Sequence, residues 1–139
     1  MLRSPYRIMV VDRQPALRML ICSQLRELGY DSLTCAHDGA SALVRLKVEP
    51  IDAVIMDVES TSGVGMEALA ALRADPALRH LPVVVITTRA ERETVRAGLA
   101  LGVSGYLIKP PSTTALGACL RRALPAGGDA GSSGVPAGS

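Results

Sequence analysis

The chain has 139 residues, a net charge of +2 and 48% hydrophobic residues, enough for one domain with a sizeable core. The near balance of 15 basic and 13 acidic side chains excludes an acidic disordered chain and a polybasic tail, and is too mild to suggest nucleic-acid binding. Three tyrosines are the only aromatics, so stacking surfaces for bases, sugars or flavin rings are nearly absent.

Short β-branched runs alternate with helical periodicity along the chain. Ile8–Val11 is a continuous apolar run, as expected of a strand covered on both faces. Pro15 suits a helix start. Leu17, Leu20, Ile21, Leu25 and Leu28 then recur at helical spacing, and Gly29 is a stop signal. Ser32–Ala36 reads as a weaker strand. Asp38 is a good N-cap for a helix to about Lys47, with Pro50 as the break. Ala53–Met56 is a buried strand ending in Asp57, and a polar, glycine-containing loop covers Val58–Gly65. Met66, Leu69, Ala70 and Arg73 recur on a third helix, which Asp75-Pro76 ends. Val83–Ile86 is the fourth strand, Glu91–Leu101 a helix closed by Gly102, and Gly105–Ile108 the fifth strand. Ser112 caps a last helix carrying Leu116, Cys119, Leu120, Ala123 and Leu124.

Such alternation predicts an α/β fold, a doubly wound parallel sheet of five strands with five helices on its two faces. The domain spans residues 1–124. Pro125–Ser139 is Gly, Ala, Ser and Pro with one charge; it has little to bury and is expected to be disordered. Cys22, Cys35 and Cys119 form no CxxC and no Cys/His cluster, so they read as small buried thiols in a reducing compartment. No run of about 18 apolar residues occurs, and the expectation is a cytoplasmic protein with no membrane association. Of the basic residues 13 are Arg, which reads as compositional bias.

Ligands of an open parallel sheet bind beyond the carboxyl ends of its strands. Those ends carry Asp12-Arg13, Asp57, Thr87-Thr88 and Lys109-Pro110. Two carboxylates, a hydroxyl and an ammonium thus converge on one edge. A carboxylate can attack phosphorus, a divalent cation on oxygen ligands neutralises phosphoryl oxygens, and a hydroxyl with a Lys can hold the remaining oxygens.

With Val10-Val11-Asp12, Asp57, Gly65, Ile86-Thr87-Thr88 and Gly105-Tyr106-Leu107-Ile108-Lys109-Pro110, the chain resembles the receiver domain of bacterial two-component response regulators. The resemblance runs from about Tyr6 to Leu124. It implies a flavodoxin-like strand order, 2-1-3-4-5. It also implies that Asp57 accepts a phosphoryl group from a histidine kinase or phosphotransfer protein. Asp12, Asp57 and the backbone carbonyl of Glu59 would hold Mg2+, and Thr87 and Lys109 would grip the phosphoryl group. Tyr106 would be the rotating aromatic of the output face formed by the fourth helix, fifth strand and fifth helix. Lys109-Pro110 would be a cis peptide. The protein would not be an enzyme beyond phosphorylating and dephosphorylating itself.

Four positions depart from the family pattern. Arg13 replaces the second of two adjacent acids, Ser60-Thr61 a Met-Pro pair, Val64 an acid before Gly65, and Pro111 an aromatic. They bear on metal affinity rather than on the fold. Glu59 and Arg89, each two residues past a site residue, would flank the entry of water to an acyl phosphate. Arg89, Arg92 and Arg96 share roughly one face of the fourth helix, and Arg121-Arg122 end the fifth. That face suits an acidic protein target or an anionic second messenger; the plainer reading is a solvated face paired with Glu91 and Glu93. No DNA-binding segment is evident, so output would pass by contact with a downstream protein or ligand.

Other motifs carry less. Gly63-x-Gly65-x-x-Ala68 fits a dinucleotide fingerprint formally, but Val83 stands where the ribose-binding acid belongs. His37 and His80 have no Ser or Cys partner in register and read as solvated loop residues. Two function classes stand: a single-domain phosphoacceptor, and a pseudo-receiver that keeps the fold but answers to a protein partner or an anionic messenger without phosphorylation. Asp57, Thr87 and Lys109 favour the first; Arg13 favours the second.

Overall fold

Four consecutive buried residues in β1 (Ser4–Val11) face alternately to the two sides of one sheet. Met9 and Val11 point into one apolar layer, Ile8 and Val10 into the other. The computed structural model describes residues 4–58, 64–88 and 92–124. The same alternation recurs in β3 (Ala53–Asp57), where Val54 and Met56 oppose Ala53 and Ile55. In β4 (Val83–Thr87), Val83 and Val85 oppose Val84 and Ile86. With β2 (Tyr30–Ala36) and β5 (Gly105–Ile108) they form a parallel sheet in the order β2-β1-β3-β4-β5. The doubly wound order expected from the resemblance is the observed one.

Helices α1 (Pro15–Glu27) and α5 (Thr113–Ala123) cover one face through Ile21, Leu25, Leu116 and Leu120. Helices α2 (Gly39–Leu46) and α3 (Val64–Ala74) cover the other through Ala42, Leu46, Leu69 and Leu72, and α4 (Arg92–Ala100) completes the set of five. The Asp38 carboxylate accepts from Ser41 N at 2.8 Å, and Ser112 Oγ from Ala115 N at 3.0 Å, so both expected caps form. Gly29 and Gly102 close α1 and α4 at φ 98° and 72°, a region that side chains disfavour.

Three elements start two or more residues earlier than the sequence reading has them. β1 begins at Ser4 rather than Ile8, and β2 at Tyr30 rather than Ser32. α3 begins at Val64, inside the loop read over Val58–Gly65. The stretch added to β1 pairs with β2 alone, since β1 meets β3 only from Ile8, and the register shifts between Ser4 and Arg7. Pro5 is tolerated at that shift because no ladder bond needs its nitrogen. The proposed tail, 125–139, lies outside the described residues.

Arg73 ties α3 to two loops at the far end of the sheet. Its Nε donates to Leu101 O at 2.6 Å, Nη1 to Leu81 O and Arg79 O at 2.7 and 2.9 Å, and Nη2 to Gly102 O at 3.3 Å. Truncation leaves these carbonyls without their charged donor. Arg73→Ala is expected to lower the unfolding free energy by about 2 kcal/mol, and Arg73→Lys, which lacks the fork, to recover less than half of it. Urea denaturation checks both; an unchanged midpoint in Arg73→Ala refutes the bracing role.

Candidate functional site

The strand order reverses between β1 and β3, and this opens a crevice at their carboxyl ends. Asp12 follows β1 directly and Asp57 is the last residue of β3. β4 ends beside them in Thr87, fully buried, and Lys109 follows β5. The sheet register thus brings four residues, spread over nearly a hundred positions of sequence, to one edge.

Lys109 Nζ lies 2.9 Å from Asp57 Oδ1 and 3.1 Å from Asp12 Oδ2. The three side chains are 4%, 9% and 0% exposed respectively, so water screens these ion pairs little. Asp12 is held on both sides. Its Oδ1 accepts from Gln14 N at 2.8 Å, and its backbone carbonyl accepts from Arg18 Nη1 at 2.6 Å. Lys109 is fixed by its backbone: its N donates to Thr87 O at 2.8 Å, and the Lys109-Pro110 peptide is cis, as expected. The next residue, Pro111, is buried, and its carbonyl accepts from Gln24 Nε2 at 2.6 Å.

The sequence reading missed Arg18 and Gln24. Gln24 was the more legible, because a polar residue three positions after Ile21 interrupts the buried stripe of α1. Arg18 acts on a backbone carbonyl, for which the sequence carries no signal.

Arg13, which stands where a second acid is usual, is exposed. Its charge falls on Asp38, whose carboxyl is held below the usual range first by hydrogen bonds from Ser41 and then by His37 and Arg13. Lys109, rather than Arg13, pairs with Asp57, and Arg13 faces solvent. The cluster of Asp12, Asp57 and Lys109 is left with a net formal charge of −1.

Tyr106 is half-buried with its hydroxyl oxygen inside, packed on the layer that holds Leu101 and Val103. A Cβ on Gly98 of α4 would come within 3.1 Å of its ring, so the ring is seated against that helix. Arg92 and Arg96 are exposed on α4, and Arg121 and Arg122 on α5. His37 and His80 are exposed, as expected. Glu59, Arg89 and Gly63 of the formal dinucleotide motif lie outside the described residues. One expectation is corrected: Cys35 is exposed, not buried, because it sits on the edge strand β2.

Among the described residues no helix is long and apolar enough to cross a membrane. The sequence profile of the response regulator receiver domain matches residues 8–121. The chain is similar to the chemotaxis protein CheY-3 of Vibrio cholerae, with 38% identity over 104 residues, 75% of this chain and 80% of that protein. In structure it is similar to chemotaxis protein CheY4 of Vibrio cholerae, at TM-score 0.76 and 28% identity, covering 86% of this chain and 98% of the other. It is also similar to the receiver domain of a sensor histidine kinase of Pseudomonas aeruginosa, solved with magnesium coordinated in its active-site cleft. There the TM-score is 0.74 at 29% identity, covering 85% and 96% of the two chains.

Proposed function

Because this chain belongs to the response regulator receiver family, we propose that it is a phosphoacceptor whose Asp57 takes a phosphoryl group from a histidine kinase or phosphotransfer protein. The observation that carries this reading is the Lys109 ammonium 2.9 Å from Asp57 Oδ1 at the end of a buried strand. In the proposed step an Asp57 oxygen attacks phosphorus and the donor's leaving group departs with the displaced electron pair. Lys109 and Thr87, at the adjoining strand ends, would receive the phosphoryl oxygens with charge-assisted and neutral hydrogen bonds.

The donor set fits magnesium. Asp12 Oδ2 is buried without a well-aligned hydrogen bond, its Lys109 contact being an ion pair at 3.1 Å, and carboxylate oxygens are the ligands a hard cation takes. Asp12 and Asp57 would hold the ion, which when bound supplies charge neutralisation on the phosphoryl oxygens. With a single uncompensated negative charge in the cluster, the affinity should be low.

Output would leave through the face of α4, β5 and α5, where Tyr106 is seated and where exposed arginines favour an acidic protein target. The role is that of a signalling component rather than a turnover enzyme, with self-phosphorylation and self-dephosphorylation as its only chemistry. The second reading, a pseudo-receiver, is favoured by one observation, the arginine at position 13.

Acetyl phosphate with magnesium separates the two. A mass gain of about 80 Da on the intact chain, absent from Asp57→Ala, is the expected result. An equal gain in Asp57→Ala would overturn the assignment of Asp57, and no gain in the wild type would favour the pseudo-receiver.

A further inference from the structure

Two cysteines that are far apart in sequence meet in the fold. Cys22 Sγ on α1 lies 3.6 Å from Cys35 Sγ on β2. Cys35 is exposed, while Cys22 is buried in the layer between α1, α5 and the sheet. An accessible thiol beside a sheltered one is the arrangement in which the first is oxidised and the second resolves it. The surroundings are cationic. The Arg45 guanidinium donates to the Cys35 carbonyl, and Arg18 and Arg26 act on Cys22. Neither sulfur takes part in the acidic site.

We infer that Cys22 and Cys35 form a dithiol modification site that hydrogen peroxide closes into a disulfide, joining α1 to the edge strand. The Cys35 sulfur attacks one peroxide oxygen and the O–O bond breaks. Cys35 becomes a sulfenic acid, and the departing hydroxide leaves as water with the thiol proton. The Cys22 sulfur then attacks the sulfenic sulfur. The S–S bond forms, the S–O bond breaks, and hydroxide leaves with the Cys22 proton as a second water. Two electrons pass from the two thiols to the peroxide. Burial, followed by the Cys35 neighbour, pushes the Cys22 thiol up to about 11, so Cys22 keeps its proton until this second step and is not itself the group that meets peroxide.

Closure has a route to the rest of the molecule. The sulfurs must approach from 3.6 Å to about 2.05 Å. Helix α1, which would be pinned, also gives Arg18 to the Asp12 carbonyl and Gln24 to the Pro111 carbonyl.

The test treats the full chain with equimolar hydrogen peroxide and reads intact mass and non-reducing peptide maps. No phosphoryl donor is present, so the result is independent of the role of Asp57. The wild type is expected to lose about 2 Da, to yield a Cys22–Cys35 linked peptide, and to return to its starting mass with dithiothreitol. Cys119→Ser should behave identically and Cys35→Ser should form no link. In Cys22→Ser the oxidation should stop on Cys35 with a gain of about 16 or 32 Da. An unchanged wild-type mass, a gain on Cys35 with Cys22 intact, or a dimer linked through Cys35 would each overturn the inference. Cys35→Ser alters only an exposed side chain, so the test survives if Cys22→Ser does not fold.

Discussion

Lys109→Met is expected to lower the unfolding free energy by about 3 kcal/mol, and magnesium is expected to return part of it. The ammonium sits between two carboxylates at 2.9 and 3.1 Å, with the side chain 4% exposed. Methionine keeps most of the stem and removes the charge. Asp57 and Asp12 then face each other as like charges with little water to screen them. Removing one partner of a buried ion pair costs about 3–5 kcal/mol, because the charge left behind is uncompensated. A divalent cation supplies the missing positive charge between the same oxygens. At about 10 mM magnesium the variant should regain about 1.4 kcal/mol or more, equal to a tenfold shift in the folding equilibrium. The wild type, whose two carboxylates already share the Lys109 ammonium, should gain much less. Asp57→Asn combined with Lys109→Met should also be less destabilised than Lys109→Met alone, since it removes the repulsion. Urea unfolding of the three proteins with and without magnesium measures each quantity. A loss below about 1 kcal/mol, with no response to magnesium, would show that Lys109 points to solvent and does not bridge the carboxylates.

The parts of this site that follow from strand position were legible in the sequence. Each of Asp12, Asp57 and Thr87 stands at the end of an apolar run, and a parallel sheet sends all such ends to one edge. β3 and β4 were legible for a related reason. They are covered on both faces, so their runs are uninterrupted. The first half of β1 was not, because Pro5 and Arg7 break the run in a stretch whose only strand partner among the described residues is β2. Contacts between elements left no mark either. Cys22 and Cys35 belong to a helix and an edge strand whose register no local pattern specifies, and they appear in sequence as two unrelated small residues. Gln24 announced itself as a polar intruder on an apolar stripe, but its partner, a backbone carbonyl 87 positions later, could only come from the fold.

Arg13→Asp is expected to raise magnesium affinity at least tenfold, and with it the rate at which acetyl phosphate modifies the proposed acceptor. Affinity in oxygen sites rises with the number of charged ligands. The cluster of Asp12, Asp57 and Lys109 carries a net formal charge of −1; an acid at position 13 would bring it to −2 and add a third carboxylate beside Asp12. A charge pair about 4 Å apart near a surface interacts by about 4 kcal/mol before desolvation and ordering are subtracted. Only about 1.4 kcal/mol of that need survive to give a factor of ten. Arg13→Ala separates two explanations for the present low charge. If the guanidinium stood in the site as a substitute cation, its removal would release the site and raise affinity nearly as much as aspartate does. The structure has Arg13 exposed and acting on Asp38, so Arg13→Ala should change affinity by less than about threefold, the residue of a screened long-range repulsion. Titration of magnesium by calorimetry, with intact-mass kinetics alongside, reads both variants. Equal gains in Arg13→Ala and Arg13→Asp would place the guanidinium inside the site in solution. No gain in Arg13→Asp would show that charge does not limit the metal at all, and the constraint would then lie in how tightly Lys109 already holds the two carboxylates.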